Sequence, residues 1–102
     1  MLRNEASETC KSFGGYLAVI SDAQEKAAIQ EFLTYLGFTG VDRFYVDGSD
    51  AETEGVWKTE AGDVMTYTEN SNDGPGENCL TIRTTLFSDY FCTSTLFAVC
   101  EM

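Results

Sequence analysis

Four cysteines, at positions 10, 79, 92 and 100, constrain the fold of this 102-residue chain more than any other feature. None of them stands in a C-x-x-C pair and the chain has no histidine, so the usual zinc sites and activated nucleophiles are excluded. We therefore expect disulfides and, with them, an oxidising compartment, which means a secreted or extracellular protein. Of the three possible pairings, one joins Cys79 to Cys92 in a local loop and Cys10 to Cys100 across the chain.

The charge of the chain narrows the range of partners. The sequence has 17 acidic and 6 basic residues and a formal net charge of -11. We expect no nucleic-acid partner, because no basic patch exists to displace counterions from phosphates. We also expect no direct membrane insertion, because no apolar run approaches the length that spans a bilayer and residues 1–10 lack the apolar core of a secretory signal. Cations and neutral polyols are more compatible binding partners for a chain with this negative charge.

Periodicity predicts two helices at the start of the chain. The first covers residues 5–13 and carries Cys10 on its inner side. The second begins with Ser21 as its N-cap, uses Gln24 to complete a capping box, and stops at Gly37. Its apolar residues recur at helical spacing and predict one buried face, formed by Ala28, Ile29, Phe32, Leu33 and Leu36.

After the second helix the pattern changes to short β-prone runs. These runs are residues 44–46, 56–58, 64–67, 80–83 and 96–100. Because helices come first and strands follow, the order predicts an α+β fold with antiparallel pairing, not a doubly wound parallel sheet. The length of the chain predicts one domain, residues 1–102, with a single core.

The aromatic residues are dispersed along the chain, which argues against a stacking platform. We expect a core role for most of the following: Phe13, Tyr16, Phe32, Trp57, Tyr67, Phe87, Tyr90, Phe91 and Phe97. Catalysis also fits poorly. The serines have no histidine to activate them, and paired carboxylates cleave glycosides only inside a cleft that a domain this small rarely builds. We therefore expect a binding domain and not an enzyme.

Two stretches between the predicted strands are rich in oxygen-bearing side chains and glycine. They read DGSDAETEG at residues 47–55 and ENSNDGPGEN at residues 69–78. Hard cations such as calcium take six to eight oxygen ligands, and loops supply these more readily than strands. The other interpretation is a solvated acidic surface, which is the usual state of an isolated acid.

Two pairs of polar residues strengthen the metal interpretation. Glu77 and Asn78 immediately precede one cysteine, and Ser88 and Asp89 come shortly before the next. A bridge between those two cysteines would hold both pairs close together. Carboxylates in one pocket repel each other unless a proton or a cation intervenes, so the grouping favours a bound cation.

Several motifs follow one another in a specific order. They are Cys10 followed by GGYLAVIS at residues 14–21, D-x-x-x-E-G from Asp50 to Gly55 with Trp57 after it, GENCLTI at 76–82, FSDYFC at 87–92 and AVCE at 98–101. Their order and spacing resemble those of C-type lectin-like domains over nearly the whole chain. The resemblance implies two helices flanking two small antiparallel sheets, a long calcium-binding loop region, and the disulfides Cys10–Cys100 and Cys79–Cys92. Against the family pattern, we expect this domain to lack the usual N-terminal strand.

The resemblance also implies calcium and sugar ligands. The positions that hold the sugar-binding calcium in the family are matched here by Glu69, Ser71, Glu77, Ser88 and Asp89. The positions of an auxiliary calcium are matched by Asp50, Glu54, Asn72, Glu77 and Asn78. Ser71 and Ser88 stand where amide side chains are usual, and the tripeptide that begins at Glu69 lacks the family's proline.

The expected function is calcium-dependent carbohydrate binding, in which sugar hydroxyls replace waters on the calcium and share its protein ligands. The leading Glu69 favours a mannose or fucose type of sugar. The expected partners are glycans or glycoproteins, with homo-oligomers as a route to avidity. The alternative is a lectin-like domain that binds no sugar and recognises a protein or a crystal surface such as ice or mineral.

Overall fold

The computed structural model of the chain describes residues 2–51, 56–65, 78–84 and 87–101. Its elements are α1 (Arg3–Ser12), β1 (Tyr16–Leu17), α2 (Ala23–Tyr35), β2 (Phe44–Ser49), β3 (Cys79–Ile82), β4 (Phe87–Tyr90), β5 (Phe97–Ala98) and β6 (Cys100–Glu101). Strands β1 and β6 form a two-stranded sheet, and β4, β3, β2 and β5 form a four-stranded sheet in that order. The predicted α+β architecture with two helices and two small sheets is confirmed.

One edge of the larger sheet differs from the predicted antiparallel pairing. Strand β3 is antiparallel to both β2 and β4, but β5 runs parallel to β2, with Phe44 opposite Phe97 and Tyr45 opposite Ala98. Parallel neighbours need a long crossover. Here the chain passes through β3 and β4 before it returns to β2, which no local pattern reveals.

The strands predicted at residues 56–58 and 64–67 are shorter than expected. In the described part of the chain they contribute isolated bridges that join Lys58 to Ser49 and to Val64. Ser49 and Lys58 exchange two backbone hydrogen bonds of 3.0 Å, so residues 57–65 form an irregular hairpin against the end of β2. Residues 66 and 67 lie outside the described residues.

The start of α2 differs by one residue from the prediction. Its N-cap is Asp22, whose carboxylate accepts a 2.8 Å hydrogen bond from the amide of Glu25. The Glu25 carboxylate in turn accepts a 3.2 Å bond from the amide of Ser21. The predicted pair of Ser21 and Gln24 is therefore wrong, because the chain offers two acids with the same three-residue spacing and an aspartate caps as well as a serine.

Two hydrophobic clusters pack on opposite faces of the four-stranded sheet. Alternation along β2 sends Phe44 and Val46 to one face and Tyr45 to the other. The first cluster contains Ala18, Ile20, Leu33, Phe44, Val46, Trp57, Leu80, Ile82 and Phe87. The second, which includes residues of α1, contains Ala6, Cys10, Leu17, Tyr45 and Cys79.

The predicted core role of most aromatic residues is wrong. Trp57 and Phe87 are buried and Tyr90 is half-buried, whereas Phe13, Tyr16, Phe32, Phe91 and Phe97 are exposed. Tyr67 lies outside the described residues. The buried face of α2 is also narrower than predicted, because the row of Ile29 and Leu33 meets the core while Phe32 and Leu36 remain exposed.

The two disulfides each include a cysteine of the second cluster, and one of them joins the two ends of the chain. Cys10 of α1 is bonded to Cys100 of β6, and Cys79 of β3 is bonded to Cys92, which follows β4. Both pairings are those that the family resemblance implies. Within the residues that the structure describes, no helix is long and apolar enough to cross a membrane.

Candidate functional site

Asp50 and Asn78 lie side by side where β2 ends and β3 begins. The amide of Asp50 donates a 3.2 Å hydrogen bond to the carbonyl of Asn78, one step beyond the pairing of Ser49 with Cys79. Asp50 is buried, and Asn78 is half-buried with its Oδ1 atom fully enclosed. The structure therefore brings together two of the five residues predicted for an auxiliary calcium. The other three, Glu54, Asn72 and Glu77, lie outside the described residues.

The chemistry of this pair fits part of a calcium shell. In the described part of the chain, Oδ1 of Asn78 is buried and accepts no hydrogen bond. Burying an unpaired acceptor costs free energy unless a hydrogen-bond donor or a cation binds it. Calcium is coordinated in proteins by carbonyl and carboxylate oxygens. No group of three or more acids, histidines or cysteines that could hold a metal occurs within residues 2–51, 56–65, 78–84 and 87–101. A calcium site here would need further oxygens.

Ser88 and Asp89, both predicted as site residues, lie on β4, a strand that the sequence patterns did not predict; both are buried but do not share a face. Ser88 is opposite Thr81 and Asp89 is opposite Leu80 in the pairing of β3 with β4. Because successive side chains of a strand point to opposite faces, Ser88 lies on the face of Tyr45, while Asp89 lies on the face of the first cluster. The remaining predicted sugar-site residues, Glu69, Ser71 and Glu77, lie outside the described residues.

A cation that the sequence patterns do not reveal, Arg43, lies beside Ser88. Nη1 of Arg43 donates to Thr81 Oγ1 at 3.1 Å and to Ser88 Oγ at 3.4 Å. The hydroxyl of Thr81 donates a 3.1 Å bond to the carbonyl of Ser88, and the guanidinium carbon lies 4.0 Å from the centre of the Tyr90 ring. The only sign of this contact in the sequence is the position of Arg43 two residues before Tyr45. Because side chains alternate along a strand, this spacing places Arg43 and Tyr45 on the same face of the sheet.

An ionic cluster fixes the 57–65 hairpin to α1 and β2. It consists of Arg3, Ser7, Lys11, Asp47 and Glu60. Glu60 accepts hydrogen bonds from Ser7 Oγ at 2.7 and 2.9 Å and from Lys11 Nζ at 2.7 Å. Arg3 lies 3.5 Å from Asp47 and 3.9 Å from Glu60. Residues 3, 7 and 11 form one row along α1 because they are spaced by four.

The two carboxylates of this ionic cluster are shifted in opposite directions. The hydrogen bonds from Lys11 and then Ser7 hold the pKa of Glu60 below its ordinary value. Burial raises the pKa of Asp47, and this effect exceeds the opposing influence of the Glu60 amide and of Arg3. The contacts of the hairpin therefore favour the charged form of Glu60, whereas burial disfavours the charged form of Asp47.

Comparison with known proteins identifies the family. The sequence profile described as "Lectin C-type domain" matches residues 1–102. The chain belongs to the C-type lectin domain family. Perlucin from Haliotis laevigata is 32% identical over 106 residues, which cover 95% of this C-type lectin domain and 67% of that protein. Members of this family are generally not enzymes.

Solved structures share the fold of this C-type lectin domain. The mouse scavenger receptor C-type lectin carbohydrate-recognition domain superposes with a TM-score of 0.80 at 20% identity, over 97% of this chain and 80% of that one. A calcium-independent type II antifreeze protein superposes with a TM-score of 0.76 at 20% identity, over 98% of this chain and 77% of that one. At these identities the likeness establishes the fold.

Proposed function

We propose that this domain binds carbohydrate through calcium held where β2 ends and β3 begins, with ligands from the two oxygen-rich stretches of the sequence. The observation that carries the proposal is the enclosed Oδ1 of Asn78, which accepts no hydrogen bond in the described part of the chain and lies beside the buried Asp50. A cation beside this oxygen would remove the cost of burying it. Carboxylate and amide oxygens in loops on a rigid sheet supply the ligands that calcium prefers.

The proposed ligands form two sets. The sugar-binding calcium would draw on Glu69, Ser71, Glu77, Ser88 and Asp89, and the auxiliary calcium on Asp50, Glu54, Asn72, Glu77 and Asn78. Because the side chains of Ser88 and Asp89 point to opposite faces of the sheet, one ion would take only one of these two. When bound, the calcium would offer coordination positions on which sugar hydroxyls replace water. The carboxylates and amides around it would accept and donate hydrogen bonds to the same hydroxyls. Glu69 in the leading position supports a mannose or fucose type of sugar.

The compartment and partners follow from the same proposal. The two disulfides support a secreted or extracellular location, because such bonds persist in oxidising surroundings. The proposed partners are glycans or glycoproteins. A single site of this kind is expected to bind a monosaccharide with about -4 kcal/mol, near the millimolar range. Homo-oligomers would then raise the avidity.

The first test is retention of the oxidised domain on immobilised mannose, fucose and galactose, in calcium and with a chelator. Retention that requires calcium and is lost with chelator is the expected result. Retention that persists in chelator, or none on any of the sugars by a folded domain, would count against the proposal.

A substitution tests the observation that carries the proposal. Asn78→Ala removes the enclosed acceptor, and Asn4→Ala makes the same chemical change at an exposed position of α1. We expect Asn78→Ala to raise the calcium concentration needed for thermal stabilisation by about tenfold, as loss of a partner around a metal commonly does. Equal behaviour of the two variants would exclude a calcium role for Asn78.

A second candidate function is recognition of a protein or a crystal surface without sugar. The observation that favours it is Arg43, whose guanidinium already occupies the surroundings of Ser88. Exposed rings such as Phe13 and Phe97 supply apolar contact area, and one similar fold is named a calcium-independent type II antifreeze protein. This function predicts binding that survives both chelator and competing sugar.

A further inference from the structure

We infer that Arg43 is the resident cation at Ser88 and that it sets how weakly calcium binds on this side of the site. The inference rests on the proposed function in one respect, since it assumes that calcium can approach Ser88. It assigns Arg43 a part in calcium affinity that the family pattern of calcium ligands does not contain.

Both oxygens of Ser88 are already engaged by the protein. The hydroxyl accepts a bond from Arg43 Nη1, and the carbonyl accepts one from the hydroxyl of Thr81. Arg43 also donates to Thr81, so the three residues form a closed network. Calcium binds through oxygen lone pairs, and a serine hydroxyl is a neutral and weak ligand. An ion that takes Ser88 must therefore displace Arg43 or share an oxygen with it.

Charge makes that sharing unfavourable. Calcium lies about 2.3–2.6 Å from its ligands. Since Arg43 Nη1 is 3.4 Å from Ser88 Oγ, an ion on that oxygen would lie within about 6 Å of the guanidinium. At that distance, repulsion screened as fully as in water lowers the calcium association constant by about tenfold. Ser88 is buried, so the screening is weaker and the effect larger.

The guanidinium is held in place. It lies 4.0 Å from the centre of the Tyr90 ring and bonds to Thr81, whose side chain is fully buried. The planar guanidinium can stack and donate several hydrogen bonds at once, which a lysine ammonium cannot reproduce. Arg43 thus holds a positive charge beside Ser88 without any metal, and calcium must compete with it.

The test measures calcium affinity directly, by isothermal titration of the oxidised, metal-stripped domain. We expect Arg43→Gln to raise the affinity of the weaker calcium phase by at least about tenfold, or to reveal a phase absent from the parent protein. Arg83→Gln is the matched control, because it removes the same charge from a half-buried arginine that follows β3. Arg43→Lys keeps the charge and should remain within about threefold of the parent, because repulsion depends on charge and not on stacking.

The double variant Arg43→Gln with Ser88→Ala identifies the position. If Arg43 acts at Ser88, the gain seen on Arg43→Gln should disappear when Ser88 is replaced. A gain of equal size in Arg83→Gln, in Arg43→Lys or in the double variant would overturn the inference. A calcium affinity unchanged by Arg43→Gln in a folded domain would overturn it too.

A measurement on the parent protein covers the case in which Arg43→Gln does not fold. The side-chain Nε resonance of Arg43, followed by NMR during a calcium titration, should stay in place while the tightest calcium binds. A shift in that first phase would overturn the inference. Sugar retention is scored separately. If the domain is retained on sugar and Arg43→Gln leaves the calcium affinity unchanged, the proposed function stands and this inference fails. If Arg43→Gln raises the calcium affinity and the domain is not retained on any sugar, this inference stands and the proposed sugar binding fails.

Discussion

The amide of Glu60 donates a 2.9 Å hydrogen bond to Oδ1 of Asp47, which places the tip of the 57–65 hairpin on the middle of β2. Two carboxylates are thereby brought close together, and Arg3 lies near both of them. One backbone bond thus couples a surface turn to the central strand. Because the hairpin lies between the two oxygen-rich stretches of the sequence, this cluster is a suitable place to test how the site is supported.

Glu60→Gln should destabilise the domain in a pH-dependent way. The pKa of Glu60 is lowered by Lys11 and Ser7 from an ordinary value of 4.5, so its stabilisation is present above that value and is lost as the pH falls through the folded pKa. We expect a loss of only about 0.5 kcal/mol at pH 7, because the carboxylate is partly exposed and screened. Urea unfolding at pH 7 and pH 3 measures it, with Glu8→Gln on α1 as control. A deficit that is the same at both pH values would show that the charge of Glu60 is not the cause.

Asp47→Asn should show the opposite pH trend. Burial raises the pKa of Asp47 above an ordinary value of 3.8, so its favourable contribution is present below that value and is lost as the pH rises through the folded pKa. Asparagine keeps an oxygen that can accept the Glu60 amide bond but does not titrate. We expect the variant to gain stability relative to the parent as the pH rises from 3 to 7. The exposed Asp63→Asn is the control, and a relative loss over this range would contradict the assignment.

Gly48→Ala should be among the most damaging single substitutions in β2. Gly48 has a φ of 145°, and an added Cβ would approach Leu80 Cγ at 2.9 Å and Met65 Sδ at 3.0 Å. Strain and a clash with the buried Leu80 together should cost about 3 kcal/mol. Gly62→Ala is the control, because its φ of 95° is also positive but nothing lies within 4 Å of the added carbon. Guanidinium unfolding should show a cost of about 1 kcal/mol there, and equal costs would mean that Leu80 moves aside.

Removal of the two disulfides should cost different amounts. The bonded cysteines are 90 residues apart for Cys10–Cys100 and 13 apart for Cys79–Cys92. The longer loop restricts the unfolded chain more, so we expect alanine replacement of the first pair to cost about 4.5 kcal/mol and of the second about 3 kcal/mol. Guanidinium unfolding of the two double variants measures the difference. The reverse order would mean that loop length does not dominate the stabilisation.

Local features of the fold were predictable from the sequence because they depend on short-range chemistry. The stop of α2 at Gly37 and the inward position of Cys10 follow from turn and helix periodicity, and the structure agrees with both. The disulfide pairing came from the family motifs, which carry tertiary information that spacing alone lacks. The N-cap of α2 was missed by one residue because Ser21 and Asp22 are both good caps.

Other features depend on distant contacts and could not be read from local patterns. The parallel pairing of β5 with β2 joins segments about fifty residues apart, and the two-residue β1 is too short to show an alternating pattern. Phe97 was expected in the core, but it stacks on Phe44 with its outer side exposed, because β5 lies at the edge of the described sheet. Hydrophobicity alone does not separate a central strand from an edge.

The spatial arrangement of the predicted site residues could be read from the sequence only in part. Asp50 and Asn78 are neighbours, as the family motifs imply. Ser88 and Asp89 are adjacent in sequence, but strand alternation separates their side chains. Arg43 was overlooked because its role depends on the register of three strands. The assignment of all the predicted residues as calcium or sugar ligands remains a prediction.

Trp57 gives this molecule a built-in optical probe. It is the only tryptophan in the chain, it is 3% exposed, and its carbonyl accepts a 2.8 Å bond from the amide of Met65 across the 57–65 hairpin. Tryptophan emission therefore reports from a single side chain in the 57–65 hairpin. A spectral change on adding calcium would place the disturbance beside this side chain, and fluorescence during unfolding would report on the first hydrophobic cluster, to which Trp57 belongs.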